Sequence, residues 1–149
     1  MLSNHKDIRL AGTCALLRDA DEGIEILLLR RNAQLAFAGG AWVFPGGAVD
    51  QEELDLTSNV EEATRKATMR GISEECGLVV SEEDLIHFCN WTTPQGEKRR
   101  FATWFFVAKI KDKLREVVID GGEIHESRWI GAQEAIDLHH SGALRLMPP

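Results

Sequence analysis

The sequence predicts an α/β fold in which helices pack on a mixed β-sheet. Three observations lead to this prediction: apolar runs with strand character in both halves of the chain, one long segment of helix-forming residues between them, and turn residues at the junctions. The 149 residues, of which 44% are apolar, are sufficient for one hydrophobic core. We therefore expect a single domain over residues 1–149.

The strands are predicted from apolar runs bounded by turn residues. Asp19, Asp21 and Gly23 separate the first two runs, which favours a hairpin or two neighbouring strands. The last long run is expected to pair with these early strands in the mixed sheet. The strand candidates are Ile8–Leu17, Ile24–Leu29, Leu78–Val80, Ile86–Trp91, Phe101–Ile110 and Ile124–Ile130.

A long helix is predicted over Glu61–Glu75. Its charged residues surround a stripe of small and aliphatic side chains, and Gly77 lies where a C-terminal glycine cap is expected. Asn59 or Ser58 is the candidate N-cap. The residues of the stripe are Ala63, Ala67, Ile72 and Met69.

Two other segments have a clear local character. Asn32–Asp50 is crowded with glycine and aromatic residues, which predicts a loop or a short strand where the backbone passes close to another group. Ala132–His140 predicts a second helix that ends at Gly142.

Charge and cysteine content narrow the class of protein. A formal net charge of -7 gives no general electrostatic reason to bind nucleic acid or an anionic membrane. Cys14, Cys76 and Cys89 lack the paired spacing of a disulfide framework or a zinc site. No apolar run approaches the roughly 20 residues that span a bilayer. We expect a cytoplasmic protein that acts on a small molecule, and its oligomeric state stays open between a monomer and a homodimer.

The most informative segment, Pro45–Leu78, reads PGGAVDQEELDLTSNVEEATRKATMRGISEECGL. It resembles the Nudix box, a family pattern of Gly, five residues, Glu, seven residues and then Arg-Glu-aliphatic-x-Glu-Glu-x-Gly-aliphatic. Gly47 matches the first glycine, and Glu62 lies at the family's distance before Arg70. The resemblance implies a Nudix-type α/β/α sandwich with a mixed β-sheet. The matching residues after Arg70 are Ile72, Glu74, Glu75, Gly77 and Leu78.

Two features depart from the family pattern. Fourteen residues, 48–61, separate Gly47 from Glu62, where the family has five. Such an insertion costs little because closure entropy grows only with the logarithm of loop length. Position 71 is glycine where the family has glutamate, although glycine inside a helix costs about 1 kcal/mol relative to alanine. In the family, the glutamate at this position is a ligand of a metal ion. Either that ion has fewer ligands in this protein, or another carboxylate replaces the missing one.

The resemblance implies hydrolysis of a diphosphate linkage with a bound metal ion. Attack by water on a diphosphate needs cations that neutralise its oxygens, and Mg²⁺ prefers hard oxygen ligands. Glutamates at helix positions i, i+3 and i+4 gather such ligands on one face. The resemblance therefore assigns Glu74 and Glu75 to Mg²⁺, with Mn²⁺ as an alternative, and Gly46 and Gly47 to backbone contacts with the site.

A further carboxylate is expected from the segment DGGEIHESRW near the C-terminus. Members of the family often supply a glutamate from a loop in this position. Glu123 and Glu126 are the candidates for a further ligand or a catalytic base. We favour Glu123 because the neighbouring Gly121-Gly122 pair suits a loop.

Two other stretches narrow the resemblance within the family. Residues 27–50, LLLRRNAQLAFAGGAWVFPGGAVD, and residues 126–149, ESRWIGAQEAIDLHHSGALRLMPP, are similar to the branch of coenzyme A diphosphatases and their bacterial relatives. This implies a nucleoside diphosphate derivative as substrate, either coenzyme A-like, ADP-ribose-like or NADH-like. The competing hypothesis is a catalytically weakened Nudix-fold protein that binds nucleotide-like ligands as a sensor or partner module. Gly71 supports that hypothesis.

Arg30, Trp91 and Arg70 are the candidate substrate contacts. Trp91 precedes a Thr-Thr-Pro turn and suits stacking on a nucleobase, although aromatic residues in strands mostly belong to the core. Arg30, its neighbour Arg31 and the cluster Lys98-Arg99-Arg100 are basic points suited to phosphates, with solvated loop charge as the alternative for the cluster. By resemblance, Arg70 together with Glu62 is instead a brace between the box loop and the helix.

Overall fold

The structure is a computed structural model that describes residues 8–111 and 115–147. Its main strands and helices follow one another along the chain in the order that the sequence predicts, apart from the two segments described below. The strands are β1 (Ile8–Ala20), β2 (Gly23–Arg31), β3 (Trp42–Val43), β4 (Gly46–Ala48), β5 (Ile86–Thr92), β6 (Arg100–Lys109) and β7 (Ile124–Gly131). The helices are α1 (Gln51–Asp55), α2 (Val60–Cys76) and α3 (Ala132–Ser141), with a 3-10 turn at Glu82–Asp84.

The strands form one mixed sheet with β1 at its centre. β1 runs parallel to β6 and antiparallel to β2 and β4. The order along the sheet is β3-β2-β1-β6-β5, and β7 pairs with β2. Of the two predicted alternatives for the first two strands, a hairpin or two neighbouring strands, the structure has the hairpin, since Ala20 pairs with Gly23 across a two-residue turn. The predicted pairing of the last long apolar run with the early strands is also confirmed.

α2 begins and ends where its capping residues predict. The side chain of Asn59 accepts a hydrogen bond from the Glu62 N–H at 2.8 Å, which satisfies one of the free amides of the first turn. Gly77 ends the helix with φ 68°, a left-handed conformation that glycine adopts without a steric penalty. No helix in residues 8–111 and 115–147 is long and apolar enough to cross a membrane.

The sheet carries a hydrophobic core on each face. Residues of β2 show the alternation, since Leu27 and Leu29 belong to the core under α2, whereas Leu28 belongs to the core under α3. Ile72 and Cys76 of α2 complete the first core. The predicted α/β/α sandwich is therefore confirmed.

Two segments differ from the sequence predictions. Leu78–Val80 belongs to none of the described strands, although Leu78 and Val80 are buried and Val79 is 72% exposed. This alternation is typical of a strand, but here the segment only connects Gly77 to the 3-10 turn. The short helix α1 was not predicted, because the stretch between Gly47 and Glu62 offers no apolar periodicity.

Candidate active site

The start of β4 lies directly against the middle of α2. An ideal Cβ at the buried Gly71 would lie 2.2 Å from the carbonyl oxygen of Gly46 and 2.3 Å from its carbonyl carbon. No side chain tolerates so short an approach to backbone, so only glycine fits at position 71 when the two elements are in this place. The space beside Gly71 is therefore filled by the backbone of Gly46 rather than by a carboxylate or an apolar side chain.

Two more close approaches hold this contact in place. A Cβ at Gly46 would lie 2.2 Å from the Gly12 carbonyl oxygen, and a Cβ at Gly12 would lie 2.1 Å from the Thr68 Oγ1. Gly12 in β1, Gly46 in β4 and Gly71 in α2 thus form a line of backbone contacts, which we call the glycine stack. The glycine stack sets how closely α2 approaches the sheet and therefore positions the carboxylates that α2 carries.

Glu75, one helical turn after Gly71, is more buried than its neighbour Glu74. The Gly46 N–H donates a hydrogen bond to its Oε1 at 2.9 Å. Burial, followed by the negative charges of Glu123 and Asp120, raises the pKa of Glu75 to about 7, although the hydrogen bond from Gly46 and the charge of Arg31 oppose the rise. A nearby cation would therefore stabilise the ionised form of the Glu75 carboxylate.

The loop that carries Glu123 is a tight turn beside the end of β2. Oδ1 of Asp120 accepts hydrogen bonds from the N–H groups of Gly122 and Ile124, both at 3.0 Å. Asn32 fastens the turn to β2, since its N–H donates to the Glu123 carbonyl at 2.8 Å and its Nδ2 donates to the Gly122 carbonyl at 3.0 Å. The predicted loop at Gly121-Gly122 is therefore present.

Two carboxylates of this loop, those of Asp120 and Glu123, lie near Glu75, and Glu123 is paired with Arg31 of β2. Nη1 of Arg31 lies 3.1 Å from Oε1 of Glu123, and both Glu123 and Asp120 are close enough to Glu75 to raise its pKa. Asp120 was not selected from the sequence. The signal that would have found it is the Asp-Gly-Gly turn, in which the aspartate side chain bonds its own backbone two residues on.

Arg70 is braced by a glutamate other than the one that the resemblance assigned. Nε and Nη2 of Arg70 donate to the two carboxylate oxygens of Glu53, each at 3.0 Å, and Nη2 also donates to the Ala48 carbonyl at 2.6 Å. The carboxylate of Glu62 instead accepts from the Ser58 N–H at 3.1 Å. The expected brace between Arg70 and Glu62 is therefore wrong.

The physical reason lies in where the insertion falls. Five residues, 48–52, separate Gly47 from Glu53, which is the family's spacing for the first glutamate of the box. The additional nine residues thus follow Glu53, and α1 carries Glu53 back to Arg70. Although burial opposes it, the hydrogen bonds from Arg70 and from the Asp50 N–H hold the pKa of Glu53 below its ordinary value. Arg70 therefore braces α1 and the box loop against α2, and its role as a substrate contact stays a prediction.

A double-mutant cycle tests the brace between Arg70 and Glu53. A half-buried two-pronged bond between charged groups contributes about 1–3 kcal/mol, so the Arg70→Met and Glu53→Gln substitutions are expected to be coupled by an energy of that size in urea unfolding. The matched pair, Arg70→Met with Glu62→Gln, is expected to be additive to within about 0.5 kcal/mol. A larger coupling with Glu62 than with Glu53 would overturn this assignment.

The remaining carboxylates are less firmly placed. Glu74 is 63% exposed, and its only described ion pair is with Nη1 of Arg70 at 3.5 Å, which leaves its side chain free to turn towards a ligand. Glu126 pairs with Arg30 across β2 and β7 at 3.4 Å. Since Arg30 follows Leu28 by two residues, both lie on the face that α3 covers, away from Glu75.

Trp91 lies on the edge strand β5, opposite Thr103 of β6, and is 52% exposed.

Cys76 beside Glu75 is buried, and burial raises the pKa of its thiol to about 12. A thiol in this state is a small hydrophobe, in agreement with its place in the core.

The oxygen-rich residues around Glu75 fit a loosely held Mg²⁺. Carboxylates and backbone carbonyls are the hard ligands that Mg²⁺ prefers, and Glu75 is a partly buried carboxylate whose pKa is raised by burial and then by the charges of Glu123 and Asp120. Among residues 8–111 and 115–147, no three His, Cys, Asp or Glu side chains converge into a metal cluster. The residues thus fit an ion that one or two carboxylates hold together with water and substrate oxygens, which is common for Mg²⁺.

Comparison with known proteins agrees with this geometry. The sequence profile of the NUDIX domain matches residues 8–148. The Caenorhabditis elegans protein named "Putative nudix hydrolase 7" is 26% identical over 157 positions, which cover 83% of this chain and 52% of the relative. The chain therefore spans about half the length of that curated relative.

Solved structures show the same fold. A NUDIX hydrolase from Alicyclobacillus acidocaldarius superimposes with a TM-score of 0.84 at 23% identity, over 96% of this chain and 87% of that chain. The NUDIX domain of Shewanella oneidensis NrtR, solved in complex with ADP ribose, superimposes with a TM-score of 0.67 at 15% identity, over 91% and 84% of the two chains.

An α/β/α sandwich in which a glycine turn packs on a glutamate-bearing helix defines the class of protein. Because the profile match extends over nearly the whole chain, this protein belongs to the NUDIX domain family.

Proposed function

We propose that this protein is a Mg²⁺-dependent hydrolase that cleaves the diphosphate linkage of a nucleoside diphosphate derivative. Water adds across the P–O–P bridge, and two phosphomonoesters leave. The observation that carries the proposal is the half-buried Glu75 carboxylate, held by the Gly46 N–H at 2.9 Å and faced by the carboxylates of Glu123 and Asp120. Because these carboxylates and the oxygens of a diphosphate are all negatively charged, a bound cation would stabilise them together.

Different residues of this protein bind the ion, accept the proton and orient the proton acceptor. Glu75 and the exposed carboxylate of Glu74 would hold the ion, while Glu123 receives the proton of the attacking water. Arg31 holds Glu123 at 3.1 Å and thereby orients it. A bound Mg²⁺ would supply neutralisation of the diphosphate oxygens and a lowered pKa for water. Glu126 has no part in this proposal, because its pair with Arg30 lies on the other face of the sheet.

The proposed substrates are coenzyme A-like, ADP-ribose-like or NADH-like. Similarity to the coenzyme A diphosphatase branch in residues 27–50 supports the first, and the ADP ribose bound by the NrtR domain supports the second. The net charge of -7 favours a small ligand bound through metal over a nucleic acid. We place the protein in the cytoplasm, in keeping with the free thiols of Cys14, Cys76 and Cys89.

A second candidate function is binding of the same ligands without turnover. The glycine stack favours it, because the contact between Gly46 and Gly71 leaves no room for the third helix carboxylate of the box. A protein with this site would then act as a sensor or partner module.

Metal-dependent product formation separates the two functions. Purified protein is incubated with coenzyme A, ADP-ribose, NADH and a nucleoside triphosphate, with Mg²⁺, Mn²⁺ or a chelator, and the products are separated by chromatography. The proposal expects two phosphomonoesters from at least one diphosphate compound and none with the chelator. Binding of these compounds by calorimetry without any product, in either metal, would establish the second function instead.

A further inference from the structure

Two guanidinium groups lie against one aromatic ring beside the candidate active site. The guanidinium carbon of Arg99 is 5.3 Å from the ring centre of Phe37, and that of Arg31 is 5.8 Å from it. Nε of Arg31 also donates to the Phe37 carbonyl at 3.2 Å. Since Arg31 bonds Glu123 as well, this cluster adjoins the loop that faces Glu75.

The loops that present the cluster are held by specific bonds. Nη2 of Arg145 donates to the Gly39 carbonyl at 2.7 Å, and Ala38 next to Phe37 adopts φ 52°, which is unusual for a residue other than glycine. On the other side, Arg100 donates twice to the Thr93 carbonyl, at 3.1 and 3.0 Å. These bonds close the hairpin between β5 and β6 that carries Arg99. Phe37 and Arg99 are thus brought together by two separately braced loops.

The two arginines differ in charge compensation. Arg31 is paired with Glu123, whereas Arg99 has no ion pair among the residues that the structure describes. A guanidinium that lies on an aromatic ring keeps its N–H edge free to donate to a phosphate. In an acidic chain, an exposed and uncompensated arginine at this place is suited to an anionic part of the substrate.

We infer that Arg99, positioned by Phe37, recognises a phosphomonoester that the substrate carries in addition to the diphosphate to be cleaved. The inference rests on the proposed function and names its substrate class: nucleoside diphosphate derivatives with a further phosphate on the ribose or an equivalent group. Arg31 orients the ring and Glu123, and Arg99 donates to the additional phosphate.

Matched substrates that differ by one phosphomonoester test this inference. The pairs are coenzyme A against dephospho-coenzyme A and NADPH against NADH, compared by kcat/KM in wild type, Arg99→Gln, Arg99→Lys and Lys66→Gln. One charged hydrogen-bond contact corresponds to about a tenfold preference for the phosphorylated member of a pair. Arg99→Gln is expected to lose most of this preference and Arg99→Lys to keep part of it.

Lys66→Gln makes the same charge change on the exposed side of α2, nine residues before Glu75, and is expected to keep the wild-type ratio. The inference is overturned if the two members of each pair have equal kcat/KM in wild type, or if Arg99→Gln leaves their ratio unchanged. Turnover of any of these compounds still supports the proposed function. If no compound is cleaved, calorimetric titration of adenosine 3′,5′-bisphosphate against AMP measures the same preference without chemistry. Equal affinities there would also overturn it.

Discussion

Replacing Gly71 by alanine is expected to destabilise the protein by about 2–3 kcal/mol, even though alanine is the better helix former by about 1 kcal/mol. The added Cβ would lie 2.2 Å from the Gly46 carbonyl oxygen, so α2 and β4 have to separate. Because Gly46 itself contacts Gly12, the shift extends into β1. Glutamate at position 71 is expected to cost more, since the same displacement is joined by a carboxylate in a buried place.

Denaturant unfolding of Gly71→Ala and Gly71→Glu measures this effect, with Gly122→Ala as the matched control. A Cβ at Gly122 meets nothing within 4 Å, so its replacement is expected to change stability by less than about 1 kcal/mol. Wild-type stability in Gly71→Glu, together with increased turnover, would show that Gly46 yields readily and that the close contact does not explain the glycine.

Glu75→Gln is expected to change activity and stability in opposite directions. Under the proposed function, loss of the metal-binding charge removes about 3 kcal/mol of transition-state stabilisation, which is about a hundredfold in rate. In metal-free protein, the same substitution is expected to increase stability at pH 8, because a neutral amide does not have to ionise in a half-buried place beside two carboxylates.

The pH dependence follows from the direction of the pKa shift. Burial raises the pKa of Glu75 from 4.5 to about 7, so the folded state binds a proton more tightly than the unfolded state. The stability that this proton contributes is complete below pH 4.5 and is lost as the pH rises through 7. Its upper limit is about 3 kcal/mol, at about 1.4 kcal/mol per pKa unit.

Unfolding in the presence of a chelator, at pH 5 and pH 8, tests this expectation. Wild type is expected to lose more stability than Glu75→Gln over that interval, and added Mg²⁺ to restore wild type at pH 8 more than the variant. Glu126→Gln removes the same charge on the other face of the sheet and is expected to follow wild type in stability and turnover. The Glu75 assignment fails if Glu75→Gln shows wild-type turnover and an unchanged pH dependence.

Local signals were sufficient for most of the fold. The α2 helix could be predicted to within a residue at each end, because Asn59, Gly77 and the buried stripe all act within the segment itself. The β1–β2 hairpin was predicted for the same reason. The strand predicted at Leu78–Val80 was wrong. Its buried and exposed residues alternate because a connecting segment passes along the core, and only pairing with another strand would distinguish a true strand from such a segment.

The candidate site was predictable only in part. The box pattern indicated Glu75 and the glycine turn, and the Gly121-Gly122 pair indicated the Glu123 loop. The partner of Arg70 was assigned wrongly, because an insertion can be placed before or after a glutamate of the pattern without a difference in sequence fit. Only the bond between Arg70 and Glu53 decides that the insertion follows Glu53.

By itself the sequence determined the mixed α/β fold, the extent of α2 and the presence of a glutamate-bearing helix next to a Gly-Gly turn, because these depend on periodicity and capping over a few neighbouring residues. The tertiary structure decided why position 71 is glycine, which face Glu126 occupies and which loops bring Arg99 to Phe37. These are contacts between residues tens of positions apart, and they depend on how closely backbone segments approach, a distance that residue identity alone does not specify.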